Sequence, residues 1–443
     1  MATVQELATR TPTTRRRHVD ALRAVAICAV VLGHWLLMTV ERTPAGRLVG
    51  YTALPQLGDL HHLTWLFQVM PLFFLVGGYA NAISWTRHRD RGGDAARWLL
   101  DRSSRVFPPM AVLLVTTAAG ALLGRWAGLS IDFLADAVAV IVLPLWFLVV
   151  YLGVIALTPA MLGLHRRFGL WVPSVLLAVV VVGDVLRLST GVELTAAASS
   201  AAGWLAIHQV GFAWQDGSLR LTVRRAALLL AGSVTALVLL TSVGPYPVSM
   251  VSVPGAAMQN PSPPSLALMA LAAAQLAVAV LVAGPAKRWL ARRRPWTAVI
   301  AVNGVALTLF LWHMVAAFVG ALLLDAVGWL PSADVGTAAW WWGRVPWLAT
   351  LGVVMAVLLA TVGRLEARIL ARNAARPKTA AAAASMRVVL GAYLAAIGGM
   401  FWLASAGRGP HGPFMVPTGA LVLVLSAATV LAAERRRRIL QAG

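Results

Sequence analysis

The chain is 443 residues long, 59% hydrophobic and 12% charged, with a mean hydropathy of +0.78. Soluble domains carry about a quarter of their residues as charges, so this composition excludes an ordinary soluble protein and points to one that crosses a membrane many times. A formal net charge of +21 would suit a nucleic-acid binder. The basic residues, however, sit in short segments between apolar runs, a topological pattern, and no nucleic-acid partner is expected.

A membrane helix needs about 20 mainly apolar residues. Twelve runs of suitable length occur, at 19–40, 60–85, 106–123, 138–162, 170–186, 196–214, 226–243, 266–282, 296–324, 345–362, 388–404 and 414–433. The expected fold is all-α, a polytopic transmembrane helical bundle of about twelve spans. With the N-terminus inside, 31 of the 37 Lys and Arg residues lie inside, 29 in the tails and alternate loops and Arg23 and Arg387 at helix starts, leaving Arg42, Arg47, Arg125, Arg187, Arg344 and Arg408 outside. The positive-inside rule accounts for that asymmetry and places both termini in the cytoplasm. The expected organisation is a basic tail (1–18), a ten-span core (19–363), a basic cytoplasmic linker (364–387), two further spans (388–433) and a second basic tail (434–443). Within the linker, the alanine-rich stretch 379–384 reads as a helix lead-in. The first run lacks a small-residue cleavage site and is expected to be a retained span rather than a signal peptide. The single cysteine, Cys28, rules out an intramolecular disulfide and a cysteine metal cluster.

In the first span Arg23 and His34 are eleven residues apart. At about 100° and 1.5 Å per residue they share one stripe of a helix, about 16 Å apart. His34 then lies near the bilayer midplane, where an ionisable side chain is by default a functional-site hypothesis, with a bond to a neighbouring helix as the competing reading. Asp20, three residues before Arg23, can pair with it at the mouth of the stripe. The second span offers Gly77 and Gly78 for close helix approach, and Tyr79 and Asn81 as polar groups. Ahead of the third, Arg102 and Arg105 project from one side of an expected helix start and suit phosphate oxygens, although the positive-inside bias also explains them. His313 follows Leu311–Trp312 in the ninth span, accompanied by Asn303, and is read either as catalytic or as an interhelical hydrogen bond. The proline-rich outer loop 244–264, with Tyr246, Ser249, Gln259 and Asn260, is read either as contacting an acceptor or as a rigid connector. No HExxH, phosphate loop, dinucleotide fingerprint or GxSxG occurs in a usable context, so no metal site is expected. Intramembrane His and Arg also build proton-coupled secondary transporters; the lack of a convincing internal repeat counts against that alternative.

Five ordered elements together resemble the integral-membrane acyltransferase 3 family: His18–Val–Asp20–Ala–Leu–Arg23 through Leu32–Gly–His34–Trp35, Pro71–Leu–Phe–Phe with Gly78–Tyr79, Arg102-x-x-Arg105 with Pro108, Leu145–Trp146–Phe147–Leu148, and Leu311–Trp–His313. That family O-acylates surface polysaccharides, peptidoglycan and macrolides. Two departures are visible. Gly77 stands where many members carry a serine, and Leu148–Val–Val–Tyr151 stands where many carry a glutamate-rich element. The resemblance implies an acyl-CoA-dependent O-acyltransferase in which Arg102 and Arg105 hold phosphates of the donor and Arg23 guides its thioester arm. His34 acts as general base or is transiently acylated, and Asp20, Tyr79, Asn81, Trp146 and His313 support the site. It implies no bound cofactor, with acyl-CoA, most simply acetyl-CoA, as co-substrate. The expected partners are membrane lipid and a carbohydrate, glycolipid or metabolite acceptor, and the expected location is the bacterial plasma membrane.

Overall fold

The computed structural model describes residues 5–6, 11, 15–44, 46–191, 195–374, 385–409 and 411–440. The expected helix lead-in at 379–384 and most of the N-terminal tail therefore lie outside the described residues. Apolar sequence becomes helix here because in hydrocarbon only a helix or a closed barrel satisfies its own backbone. Among the described residues the helices longer than one turn or two are α1 Arg17–Leu37, α2 Met70–Asp90, α3 Ala95–Trp126, α4 Ile131–Val142, α5 Leu145–Phe168, α6 Trp171–Thr190, α7 Ala196–Asp216, α8 Val223–Ser242, α9 Leu266–Leu281, α10 Ala283–Trp289, α11 Arg293–Ala326, α12 Ala338–Ala374, α13 Met386–Ser405 and α14 Thr418–Leu440. Two short strands, β1 Met38–Arg42 and β2 Leu48–Thr52, pair antiparallel with Val40 opposite Gly50.

The protein is thus a polytopic helical bundle. Among the described residues ten helices are long and apolar enough to cross a bilayer, and an eleventh if α9 and α10, bent by 48° at their junction, form one span. The remaining expected span is α7, a 21-residue helix diluted by Ser199, Ser200, His208, Gln209 and Asp216. Several boundaries differ from the apolar runs. The first helix stops at Leu37, and the run's last residues enter β1. The third begins at Ala95, where the Asp94 side chain caps it by accepting from the Arg97 backbone N–H at 2.7 Å. The tenth continues to Ala374, through the first part of the expected linker.

The chain divides into two compact units, each made of three segments. One is Met1–Val30, Leu57–Thr86 and Leu157–Ala306; the other is Val31–Gln56, Arg87–Ala156 and Leu307–Gly443. In the first, α6 packs on α7 and α8 on α9. Here α2 crosses α7 at Gly78 and Gly211, and a Cβ on either glycine would strike the other helix's backbone, the His208 carbonyl in one case and the Leu75 carbonyl in the other. This is the close approach the glycine pair allows, although only Gly78 makes it; a Cβ on Gly77 would meet nothing nearer than His208 Cδ2 at 3.9 Å. In the second unit, α13 and α14 form an antiparallel hairpin against α3, tied by the Tyr393 hydroxyl donating to the Leu99 carbonyl at 2.9 Å.

Candidate active site

The second unit brings two imidazoles together. His34 Nδ1 and His313 Nε2 are 2.9 Å apart and the rings stack 5.0 Å between centroids at 14°. His313 Nδ1 lies 2.6 Å from the Phe310 carbonyl one turn earlier in α11. A carbonyl only accepts, so His313 Nδ1 carries a proton. In the neutral ring His313 Nε2 is then an acceptor, and His34 Nδ1 must be the donor. His34 Nε2 is left with a lone pair that no protein group uses among the described residues. The chain of bonds fixes the tautomer of the residue at its end, the arrangement a general base needs.

Burial separates the two rings. His313 is fully buried, whereas His34 is exposed even though Ile27 and Val30, earlier on the same helical stripe, are 3% and 9% exposed. The free edge of His34 therefore opens onto accessible space at the point where the apolar stripe gives out.

The end of α1 that carries His34 is pinned from α11 and α12. The Trp35 indole N–H donates to the His313 carbonyl at 2.8 Å, and the Trp347 indole N–H to the Trp35 carbonyl at 2.7 Å. Arg344 donates to the Met38 carbonyl at 2.8 Å, its guanidinium 4.4 Å from the Trp340 ring centre and 5.5 Å from that of Trp347. Carbonyls at a helix C-terminus have no intrahelical partner; here the Trp347 indole supplies it for Trp35 and Arg344 for Met38 just past the helix end, which holds the histidine in register.

In the first unit Arg23 Nε donates to Asn303 Oδ1 at 2.6 Å, and Asn303 Nδ2 donates to the Asp20 carbonyl at 2.8 Å. The expected Asp20–Arg23 pair forms at 3.7 Å. Asp20 is nevertheless held chiefly by Arg15, whose Nε and Nη2 reach its two oxygens at 2.7 and 3.0 Å. Asn303, not Asp20, orients the Arg23 guanidinium.

Other sequence-selected residues fall elsewhere. Tyr79 is buried with its ring edge-on to Trp214 at 5.0 Å, and Asn81 Nδ2 lies 3.2 Å from His208 Nε2; both belong to the first unit. Arg102 and Arg105 are side by side on α3, but two turns or more inside it, so the helix N-terminus expected beside them is absent. Arg102 lies 5.0 Å over the Trp98 ring, and Arg105 is exposed. Trp146 is half-buried; its neighbour Phe147 is the residue that reaches the site, edge-on to Phe310 at 4.9 Å, with Phe310 in turn 6.0 Å from His313.

In the loop 244–264 the polar side chains singled out from sequence are bonded within the fold. Asn260 is fully buried, donates to the Pro247 and Ser249 carbonyls at 2.7 and 2.8 Å, and accepts from Ser265. Ser249 is buried and donates to the Val251 carbonyl. The Tyr246 hydroxyl donates to Asp184 at 2.9 Å, and burial together with that carboxylate pushes its pKa well above the usual phenol range. Residues read as acceptor contacts thus spend their polar groups inside the fold, because a long loop must satisfy its own backbone and side chains when packed.

Two residues escaped sequence reading. Glu366, placed by composition in the basic linker, is 2% exposed on α12 and accepts from Thr308 at 2.6 Å and from the Trp312 indole at 3.1 Å, next to His313 in sequence. Arg344, counted among outer-loop arginines, is 3% exposed. Arg344 carried one sequence signal, tryptophans at 340 and 347 within helical reach; Glu366 carried none, its indole partner being on another helix. The second unit also contains a cavity of about 1040 Å³ at the β1 end of α1, lined by Thr39, Glu41, Tyr51, Gln56, Asp325 and Ser332 among others. The Thr39 hydroxyl there is buried and has no partner among the described residues.

Among the described residues the bundle thus pairs two imidazoles, with one ring nitrogen of the exposed His34 left unbonded. The chain matches the acyltransferase-domain family over residues 16–365, a stretch that contains Arg23, His34, Arg102, Arg105 and His313. It belongs to the acyltransferase 3 family and is a membrane acyltransferase. No curated protein and no solved structure matches it.

Proposed function

We propose that this protein moves an acyl group, most simply acetyl, from cytoplasmic acyl-CoA to a hydroxyl of a carbohydrate, glycolipid or secreted metabolite, in a bacterial plasma membrane. The observation that carries this reading is the ordered Phe310–His313–His34 chain, which leaves His34 Nε2 as an unprotonated, accessible base. In the reaction His34 Nε2 takes the proton of the acceptor hydroxyl while its oxygen bonds to the thioester carbonyl carbon. The carbon–sulfur bond then breaks, and the leaving thiolate recovers the proton from the His34 imidazolium. His313 stabilises that imidazolium by accepting from Nδ1, and Arg23, held by Asn303, guides the donor arm along the stripe of α1. Thr39, Glu41, Gln56 and Asp325 line the cavity at the β1 end of α1; Asp325 pairs with Arg42 and Glu41 accepts from Tyr51, so the group offered to an acceptor hydroxyl is the Thr39 hydroxyl, unpartnered among the described residues.

The test is a strain lacking the protein, re-expressing either the parent or His34→Ala, with lipid and glycan fractions analysed by mass spectrometry. The parent restores one acyl mass and the variant does not, at equal membrane abundance. Restoration by the variant would overturn the role of His34. A change only in the distribution of an unmodified compound would instead mark a transporter.

A further inference from the structure

In the first unit a cavity of about 930 Å³ lies beside the start of α1, between the end of α7 and the start of α8. Arg16, Arg220, Arg224 and Arg225 line it, with His18 and Trp214 on its wall and Leu228 and Val280 as apolar lining. Its volume is in the range of small-molecule and cofactor pockets, about 300–1,000 Å³. Asp216 also lines it, but that carboxylate is committed elsewhere: it accepts from His165 Nε2 at 2.9 Å and from the Ser218 hydroxyl and backbone N–H at 2.7 and 2.9 Å. None of the four arginines forms an ion pair among the described residues. Arg225 instead donates to the Arg220 carbonyl at 3.1 Å, and Arg220 is held at φ 44, a left-handed backbone that side chains other than glycine rarely adopt.

Positive-inside bias explains arginines in this loop. It does not explain their convergence on one concave wall, where the lining acid Asp216 is bonded to His165 and Ser218 and one of the arginines is kept in a conformation glycine would fill more easily. Guanidinium forks match phosphate oxygens, and the His18 and Trp214 rings, edge to face at 6.1 Å, offer an aromatic surface to a base.

We infer that this cavity, rather than the Arg102–Arg105 pair, binds the phosphate-bearing nucleotide head of the donor. The inference rests on acyl-CoA being that donor. The shared chemistry, a phosphate group beside four arginines, would also suit an anionic lipid headgroup, so the test separates the two sources.

The purified full chain is placed in phosphatidylcholine nanodiscs and titrated with coenzyme A, with adenosine 3′,5′-diphosphate as competitor. Arg224→Gln with Arg225→Gln should weaken coenzyme A binding about tenfold or more, since each charge-assisted bond lost is worth at least that factor. Arg220→Gly provides a second variant that relieves the backbone: its melting temperature should hold or rise while affinity falls. Arg102→Lys with Arg105→Lys should bind like the parent. Unchanged affinity in both cavity variants, or loss only in the α3 variant, would overturn the inference and leave the acyl-CoA reading standing. Failure of the parent itself to bind coenzyme A would remove the donor assignment and this site with it. In phosphatidylglycerol nanodiscs, native mass spectra showing lipid lost from the cavity variants, with coenzyme A affinity intact, would assign the cavity to lipid and overturn the nucleotide.

Discussion

Replacing His313 tests whether the second imidazole acts or merely packs. His313→Leu keeps an apolar core volume but removes the acceptor 2.9 Å from His34 Nδ1. A donor left without its partner in such a setting costs about 1–3 kcal/mol, and here the same loss frees the proton to move to His34 Nε2, the nitrogen that must stay bare. Because 1.4 kcal/mol is a factor of ten, turnover should fall about tenfold to a hundredfold. His34→Ala, which removes the base altogether, should cost about 10²- to 10⁴-fold. His313→Gln places an amide oxygen near the position of Nε2 and should recover most of the rate, with KM unchanged across the series. The assay is thiol release from acetyl-CoA by purified protein in proteoliposomes supplied with surface-glycan extract, with melting temperatures as a folding control. Equal rates for the Leu and Gln variants at equal stability would refute the tautomer argument and reduce His313 to a packing residue.

Gly78→Ala should destabilise the protein by about 1–3 kcal/mol or more, because the new methyl meets backbone that cannot yield, whereas Gly77→Ala should be neutral or slightly stabilising; equal melting temperatures would contradict the α2–α7 crossing. In a Cys28→Ala background, cysteines at the exposed positions Ala257 and Ser405 should react with an impermeant thiol reagent from outside, and one at Arg292 only after permeabilisation. The reverse pattern would invert the orientation and the side from which the donor arrives. Asn260→Cys should label poorly in either case, being enclosed by its own loop.

Composition and periodicity determined the class of fold. A run of about 20 apolar residues has one economical structure in hydrocarbon, so the helical class and the approximate positions of the spans were legible, as was the placing of Arg23 and His34 on one helix. Family membership was legible too, since motifs such as Leu32–Gly–His34–Trp35 are local strings. Helix ends were less so: Asp94 moved the start of α3 well ahead of its apolar run, because a polar cap can extend a helix into charged sequence.

Only the tertiary structure decided which polar groups meet. His34 and His313 are 279 residues apart, and Asn303 holds Arg23 across a comparable separation; nothing in either local sequence selects its partner. Glu366 looked like one more charge in a basic linker until α12 carried it beside Trp312. The acceptor loop looked available until Asn260 was seen to be consumed by its own turn. Charge content and hydrophobic period are sums over neighbours in sequence, and the chain alone fixes them. A hydrogen bond needs two groups within about 3 Å, and that depends on how distant helices pack.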